Sequence, residues 1–147
     1  MEGFRKFFWG KYKFSSTKKE KHGFEKKSEV FEIIKRKAKD ELQYLFKESK
    51  IDDNNSKALL DIIDLHGDVT VLDDAMMSVA KFFPEIKKDI NEIKILVESL
   101  SNQSELSVNV DLAELRGYNY HTGMIYTAYV PNEGKGIAFG GRYNDIG

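Results

Sequence analysis

Apolar side chains recur at steps of three and four residues through the first amphipathic stretch of the chain. Lys and Glu fill most positions between them, so the apolar residues share one face of an α-helix. These residues are Phe31, Ile34, Ala38, Leu42, Leu45 and Phe46. The pattern predicts one helix over about 29–49, with Ser28 at the N-cap position.

Three further helices are predicted after a polar break, over about 56–65, over about 72–82 and from Pro84 onward. Gly67 suits the left-handed backbone that often ends a helix, and proline is tolerated only in a first helical turn. The fourth helix carries a continuous apolar stripe of Ile86, Ile90, Ile93, Val97 and Leu100. The first two thirds of the chain are therefore predicted to be helical.

The last third has the period of β-strands. Residues 107–112 alternate apolar and polar side chains, and residues 124–130 are rich in β-branched and aromatic ones. Residues 131–134 form a turn, after which residues 135–139 return antiparallel. Helices followed by antiparallel strands predict an α+β fold.

Composition narrows the class of protein. Cysteine is absent from the 147 residues, which excludes disulfides, thiolate metal sites and a cysteine nucleophile. No apolar run approaches the roughly 18 residues of a membrane span, and no targeting segment is recognised. The histidines His22, His66 and His121 have no partner at metal-ligand spacing, so no metal site is predicted. We expect a cytoplasmic protein without a membrane or nucleic-acid partner.

The net charge of −1 hides two unlike regions. Residues 1–27 hold nine Lys/Arg against three Glu, a charge of +6, and the other 120 residues carry −7. The favoured interpretation of 1–27 is a basic, aromatic and partly disordered tail. The alternatives are a segment that binds RNA through stacked rings and lysines, or one that lies on an anionic membrane surface. Residues 28–147 form the predicted domain, with a helical region at 28–103 and the antiparallel hairpin region at 104–147.

Two segments are not explained by helix or strand patterning. The first, residues 114–123, reads ELRGYNYHTG, and the second, residues 139–143, reads FGGRY. Paired glycines at a strand end allow close approach of another group, and an arginine offers a planar fork for a carboxylate or phosphate. Together the segments could form a pocket for an anion and a ring. The alternative is that the tyrosines pack at a sheet edge and the arginines are solvated.

At these residues the chain resembles a known family. The strings DLAELRGYNYHTG at 111–123, YTAY at 126–129 and GGRY at 140–143 are similar to the regulatory subunit of ATP phosphoribosyltransferase, a relative of histidyl-tRNA synthetase. The resemblance implies the class II synthetase catalytic fold, an antiparallel sheet flanked by helices. Residues 28–147 would then be a partial domain of that fold, its distal part.

The resemblance also implies a histidine site, with no catalytic residue, metal or cofactor. Arg116 would correspond to the arginine near the amino acid carboxylate, and Tyr120 with His121 to a pair of tyrosines in the synthetase. The implied histidine-binding residues are Arg116, Tyr120, His121, Gly140, Gly141, Arg142 and Tyr143. His121 and Gly123 stand where a synthetase would have tyrosine and arginine, which favours the regulatory subunit.

The function implied by this resemblance is regulation and not catalysis. The family's regulatory subunit joins the short-form catalytic subunit in a hetero-oligomer, is required for the first step of histidine biosynthesis and transmits feedback by histidine. No motif for ATP or for the class II dimer interface is recognised in the chain. Two alternatives stay open: a fragment of histidyl-tRNA synthetase that activates histidine with ATP, and a truncated remnant without independent function.

Overall fold

The computed structural model describes residues 29–49, 53–103, 106–116 and 123–142, and the tail predicted at 1–27 lies outside them. The helices are α1 at 29–35, α2 at Lys39–Ser49, α3 at Asp53–Asp64, α4 at Val71–Met77, α5 at Val79–Phe82 and α6 at Lys87–Ser101. The strands are β1 at His66–Gly67, β2 at Val110–Asp111, β3 at Ile125–Tyr129 and β4 at Gly136–Gly141. The predicted α+β architecture, helices followed by antiparallel strands, is confirmed.

One apolar cluster holds the helices together. Helix α3 contributes the face of Ala58, Leu59, Ile62 and Ile63, and it packs against α2 and α5, while α4 packs against α5 and α6. Fully burying a Leu or Ile side chain stabilises a fold by about 1.5–3 kcal/mol, so these faces carry most of the stability. No helix within the described ranges is long and apolar enough to cross a bilayer.

The single helix predicted over 29–49 is wrong, because the chain breaks into α1 and α2 at Lys37. Lys37 adopts the left-handed backbone conformation at φ 55°, although it is not a glycine. Its amide donates to the carbonyl of Ile34 at 2.9 Å, and the amide of Ala38 donates to the carbonyl of Ile33 at 3.1 Å. These two bonds close a helix end of the type that usually uses glycine. The apolar period continues across the break because both helices face the same core.

The third predicted helix is also divided, at Ser78. Ser78 lies between the two helices at φ −96° and ψ −77°, and its hydroxyl and amide both donate to the carbonyl of Asp74. The fourth helix begins as predicted, since Pro84 opens a 3-10 turn at Pro84–Ile86 that continues into α6. A proline ring is tolerated there because a first helical turn needs no amide donor at that position.

Charged contacts fix the start of α4. The hydroxyl and the amide of Thr70 donate to the carboxylate of Asp68, and these bonds lower the pKa of Asp68. In the first turn, Asp73 accepts a hydrogen bond from Lys94 at 2.6 Å, and that bond raises the pKa of Lys94. The second contact ties α4 to α6 at the surface.

A two-residue ladder joins the helical region to the segment that follows it. Strand β1 pairs antiparallel with β2, His66 opposite Asp111 and Gly67 opposite Val110. The predicted strand over 107–112 is therefore shorter than expected, and its partner β1 was not predicted. Gly67, expected at a helix end, lies in β1 with φ 147°. Nζ of Lys37 also donates to Oδ2 of Asp111 at 2.7 Å. This ion pair connects the break between α1 and α2 to β2.

The predicted hairpin near the carboxyl end is confirmed. Strands β3 and β4 pair antiparallel from Ile125 opposite Gly141 to Tyr129 opposite Gly136, with a bulge next to Ala128. No residue of either strand is buried. Five large apolar side chains on or beside the hairpin are between 41% and 60% exposed: Tyr126, Tyr129, Val130, Ile137 and Phe139. The two strands therefore add no buried residue to the helical core.

Candidate functional site

The structure places four of the seven predicted histidine-binding residues. Arg116 lies in the segment after β2, Gly140 and Gly141 end β4, and Arg142 follows directly. Tyr120, His121 and Tyr143 fall outside the described residues. The assignment of all seven to a histidine site stays a prediction, and the geometry of the first four can be described.

The segment before Arg116 is a tightly hydrogen-bonded turn. Asp111 accepts the amide of Ala113 on Oδ1 at 2.9 Å, and its backbone carbonyl accepts the amide of Glu114 at 3.4 Å. Leu112 is buried, and its amide donates to the carbonyl of Leu65 at 3.0 Å. Small acidic side chains commonly close such turns by bonding their own backbone two residues on. The turn therefore anchors the chain to the helical core at Leu112, four residues before Arg116.

Arg116 lies against the hairpin. Its Cζ is 5.7 Å from the centre of the Phe139 ring, and its Nη1 is 3.5 Å from Oγ1 of Thr127. Thr127 and Phe139 are opposite each other in the ladder, so they share one face of the hairpin. A guanidinium within about 6 Å of a ring is attracted to the ring face. The Arg116 side chain is 52% exposed, so an anionic group can reach part of the guanidinium.

The paired glycines Gly140 and Gly141 permit close packing at the carboxyl end of β4. Gly140 lies opposite Tyr126, and a Cβ at Gly140 would come 2.6 Å from the Tyr126 hydroxyl. Strand alternation assigns Gly140 and Arg142 to one face, and Phe139 with Gly141 to the other. The aliphatic stem of Arg142 runs across Gly123, and its amide donates to the carbonyl of Met124 at 3.0 Å. Arg116 thus contacts the face of the hairpin that carries Phe139, and strand alternation assigns Arg142 to the other face.

Gly123→Ala is expected to loosen the open end of the hairpin. The new Cβ would lie 2.7 Å from Cβ of Arg142, an atom fixed to the backbone, so the strand itself must move. Overpacking of this kind costs about 1–3 kcal/mol, which raises local opening roughly fivefold or more. Amide hydrogen exchange of Arg142 measures it. Gly134→Ala is the control, since nothing lies within 4 Å of a Cβ there. Equal exchange in both variants would contradict the packing argument.

Three side chains that contact Arg116 received no role from the sequence. Thr127 and Phe139 meet it only because of the hairpin register, which strand alternation alone does not specify. Glu114 lies two residues before Arg116, and its Oε2 is 3.2 Å from Nη2. Its position two residues before Arg116 was the signal in the sequence that could have indicated this contact. Within the described residues no group of three or more His, Cys, Asp or Glu is placed to hold a metal ion.

The family model and the relatives that match this chain point to related proteins. The family model described as histidyl-tRNA synthetase matches residues 18–147, so the match starts before the predicted domain boundary at residue 28. A relative from Methylococcus capsulatus named ATP phosphoribosyltransferase regulatory subunit is 36% identical over 124 residues, covering 84% of this chain and 30% of the relative. A relative of the same name from Chromohalobacter salexigens is 38% identical over 128 residues, covering 84% and 32%.

A third relative of that name, from Azotobacter vinelandii, is 38% identical over 119 residues, which is 80% of this chain and 30% of the relative. The chain thus spans about a third of the length of the curated relatives it matches. No solved structure matches the chain. Because the family match covers most of its length, the chain belongs to the histidyl-tRNA synthetase family, and within that family it resembles the regulatory subunits of ATP phosphoribosyltransferase.

Proposed function

We propose that the chain acts as part of a regulatory subunit of ATP phosphoribosyltransferase. It would have no catalytic activity of its own, and it would work in the cytoplasm as the partner of a short-form catalytic subunit in the first step of histidine biosynthesis. The observation that carries the proposal is the similarity, over at least four fifths of the chain, to relatives that bear the regulatory subunit's name. The string at 111–123 supports the same choice over a synthetase.

The chemistry of the described residues is compatible with histidine as the effector. A guanidinium binds a carboxylate through two parallel hydrogen bonds, and Arg116 presents a half-exposed guanidinium on the hairpin. The ring of Phe139 lies on the face of the hairpin that Arg116 contacts, and it offers apolar surface to an imidazole. Histidine bound there would change the partner's activity only if its affinity differs between the two states of the complex.

The test is light scattering on a sizing column, with the chain alone and mixed with a short-form ATP phosphoribosyltransferase from the same source. We expect co-elution as a defined hetero-oligomer, with mass equal to a whole-number combination of the two subunits. A chain that elutes alone and unchanged in the mixture would contradict the proposal and support the remnant, which has no independent function.

The second candidate is a fragment of histidyl-tRNA synthetase, favoured by the description of the matching family model. A synthetase activates histidine with ATP, so it exchanges pyrophosphate with ATP when histidine is present. We expect no histidine-dependent exchange by this chain. Measurable exchange would transfer the assignment to the synthetase.

A further inference from the structure

We propose that the carboxylate of Glu114 competes with the carboxylate of an amino acid ligand for the guanidinium of Arg116. Glu114 occupies the guanidinium until the ligand displaces it. This inference rests on the proposed function, because it deepens the histidine site assumed there. It assigns to Glu114 the role of setting how tightly the site holds a carboxylate. The residue is not among those that the resemblance implies for histidine binding.

Both carboxylate oxygens of Glu114 bind Arg116. Oε1 accepts the backbone amide of Arg116 at 2.8 Å, and Oε2 accepts the side-chain Nη2 at 3.2 Å. The pair is partly shielded, since the Glu114 side chain is 34% exposed and the Arg116 side chain is 52% exposed. The arginine that is predicted to hold a ligand carboxylate therefore already holds a carboxylate of its own chain.

The donor positions of the guanidinium make this contact a competition. A bidentate carboxylate takes two parallel N–H donors of the fork. Here Nη1 is directed to Thr127 and Nη2 to Glu114, so two of the five N–H donors of the guanidinium are engaged, and a ligand carboxylate that binds Nη2 shares it with Oε2 or displaces Oε2. The negative charge of Glu114 also repels an approaching carboxylate. After displacement, the bond from Oε1 to the backbone amide keeps Glu114 beside the site, so the contact re-forms when the ligand leaves.

The decisive variant is Glu114→Gln, which keeps an oxygen to accept the Arg116 backbone amide and removes the charge. We expect its affinity for L-histidine, measured by titration calorimetry, to rise about three- to fivefold, the effect of removing one partly exposed ion pair. Histamine, which has the imidazole and lacks the carboxylate, should show no gain. The gain for L-histidine should shrink in high salt, because exposed charges are screened there.

The matched control is Glu133→Gln in the turn between β3 and β4. Glu133 is exposed, and the substitution changes the net charge by the same amount away from Arg116. We expect wild-type affinity for L-histidine from this variant. A gain as large as that of Glu114→Gln would show a general effect of charge and would overturn the proposal.

Further outcomes separate the inference from the function on which it rests. If the wild-type chain binds L-histidine and Glu114→Gln binds it equally or more weakly, the competition is wrong and the histidine site stands. If the gain appears for histamine as well, the competition is again wrong, since no carboxylate is involved. If neither chain binds L-histidine, the histidine site fails together with the competition, whereas co-elution with the catalytic subunit would still support the regulatory assignment.

Discussion

Phe83→Ala is expected to lower the free energy of unfolding by about 3–5 kcal/mol, the usual loss when a fully buried phenylalanine is truncated. Phe83 is 2% exposed and lies between α5 and the turn at Pro84–Ile86, inside the apolar cluster. Domains are stable by only about 5–15 kcal/mol, so the loss would leave a marginal fold. Urea unfolding followed by circular dichroism measures it.

The neighbouring Phe82 provides the control for this prediction. Its side chain is only partly buried, and its ring lies 6.0 Å from the ammonium of Lys81 at the surface. Phe82→Ala removes the same atoms with less loss of burial, so it should cost clearly less than Phe83→Ala. Equal losses from the two substitutions would mean that the described packing of Phe83 is wrong.

Arg116→Ala is expected to weaken L-histidine binding by about 10- to 100-fold, the loss of one charge-assisted pair to a carboxylate. Titration calorimetry on both chains measures the change. The fold should be retained, because Arg116 is half exposed and its contacts lie at the surface of the hairpin. Unchanged affinity would refute its role in binding the carboxylate.

Arg116→Lys distinguishes the shape of the guanidinium from its charge. Lysine keeps the positive charge, yet it has no planar fork with two parallel donors. We therefore expect Arg116→Lys to bind L-histidine more weakly than wild type and more tightly than Arg116→Ala. Wild-type affinity from the lysine variant would mean that charge alone is sufficient and that bidentate geometry is not used.

The helical core could be predicted from the sequence because burial imposes a period that the sequence carries. Leu59, Ile62 and Ile63 were assigned to one face by spacing, and they are buried in the structure. The helix ends were less predictable. The break at Lys37 has neither glycine nor proline, and the left-handed backbone is held partly by Asp111, 74 positions away. A contact so distant in sequence leaves no local signal.

The candidate site shows the same division between local and distant causes. The string around Arg116 is recognisable by itself, so the arginine could be proposed from the sequence. Its neighbours depend on pairing between strands, because the register of β3 and β4 brings Thr127 opposite Phe139. Strand alternation is visible in a sequence, whereas the register depends on the turn and on the bulge beside Ala128.

The ladder between β1 and β2 also bears on the order in which contacts form during folding. Its residue pair His66 and Asp111 is 45 positions apart, and closing a loop of that length costs about 3 kcal/mol of chain entropy or more. The two residue pairs of the ladder can offset this loss of entropy only once the helices between the strands are already packed. The ladder therefore forms late in folding, and weakening it should speed unfolding while leaving the folding rate nearly unchanged. Because the ladder is expected to form late, the turn that precedes Arg116 is expected to be assembled after the helical core.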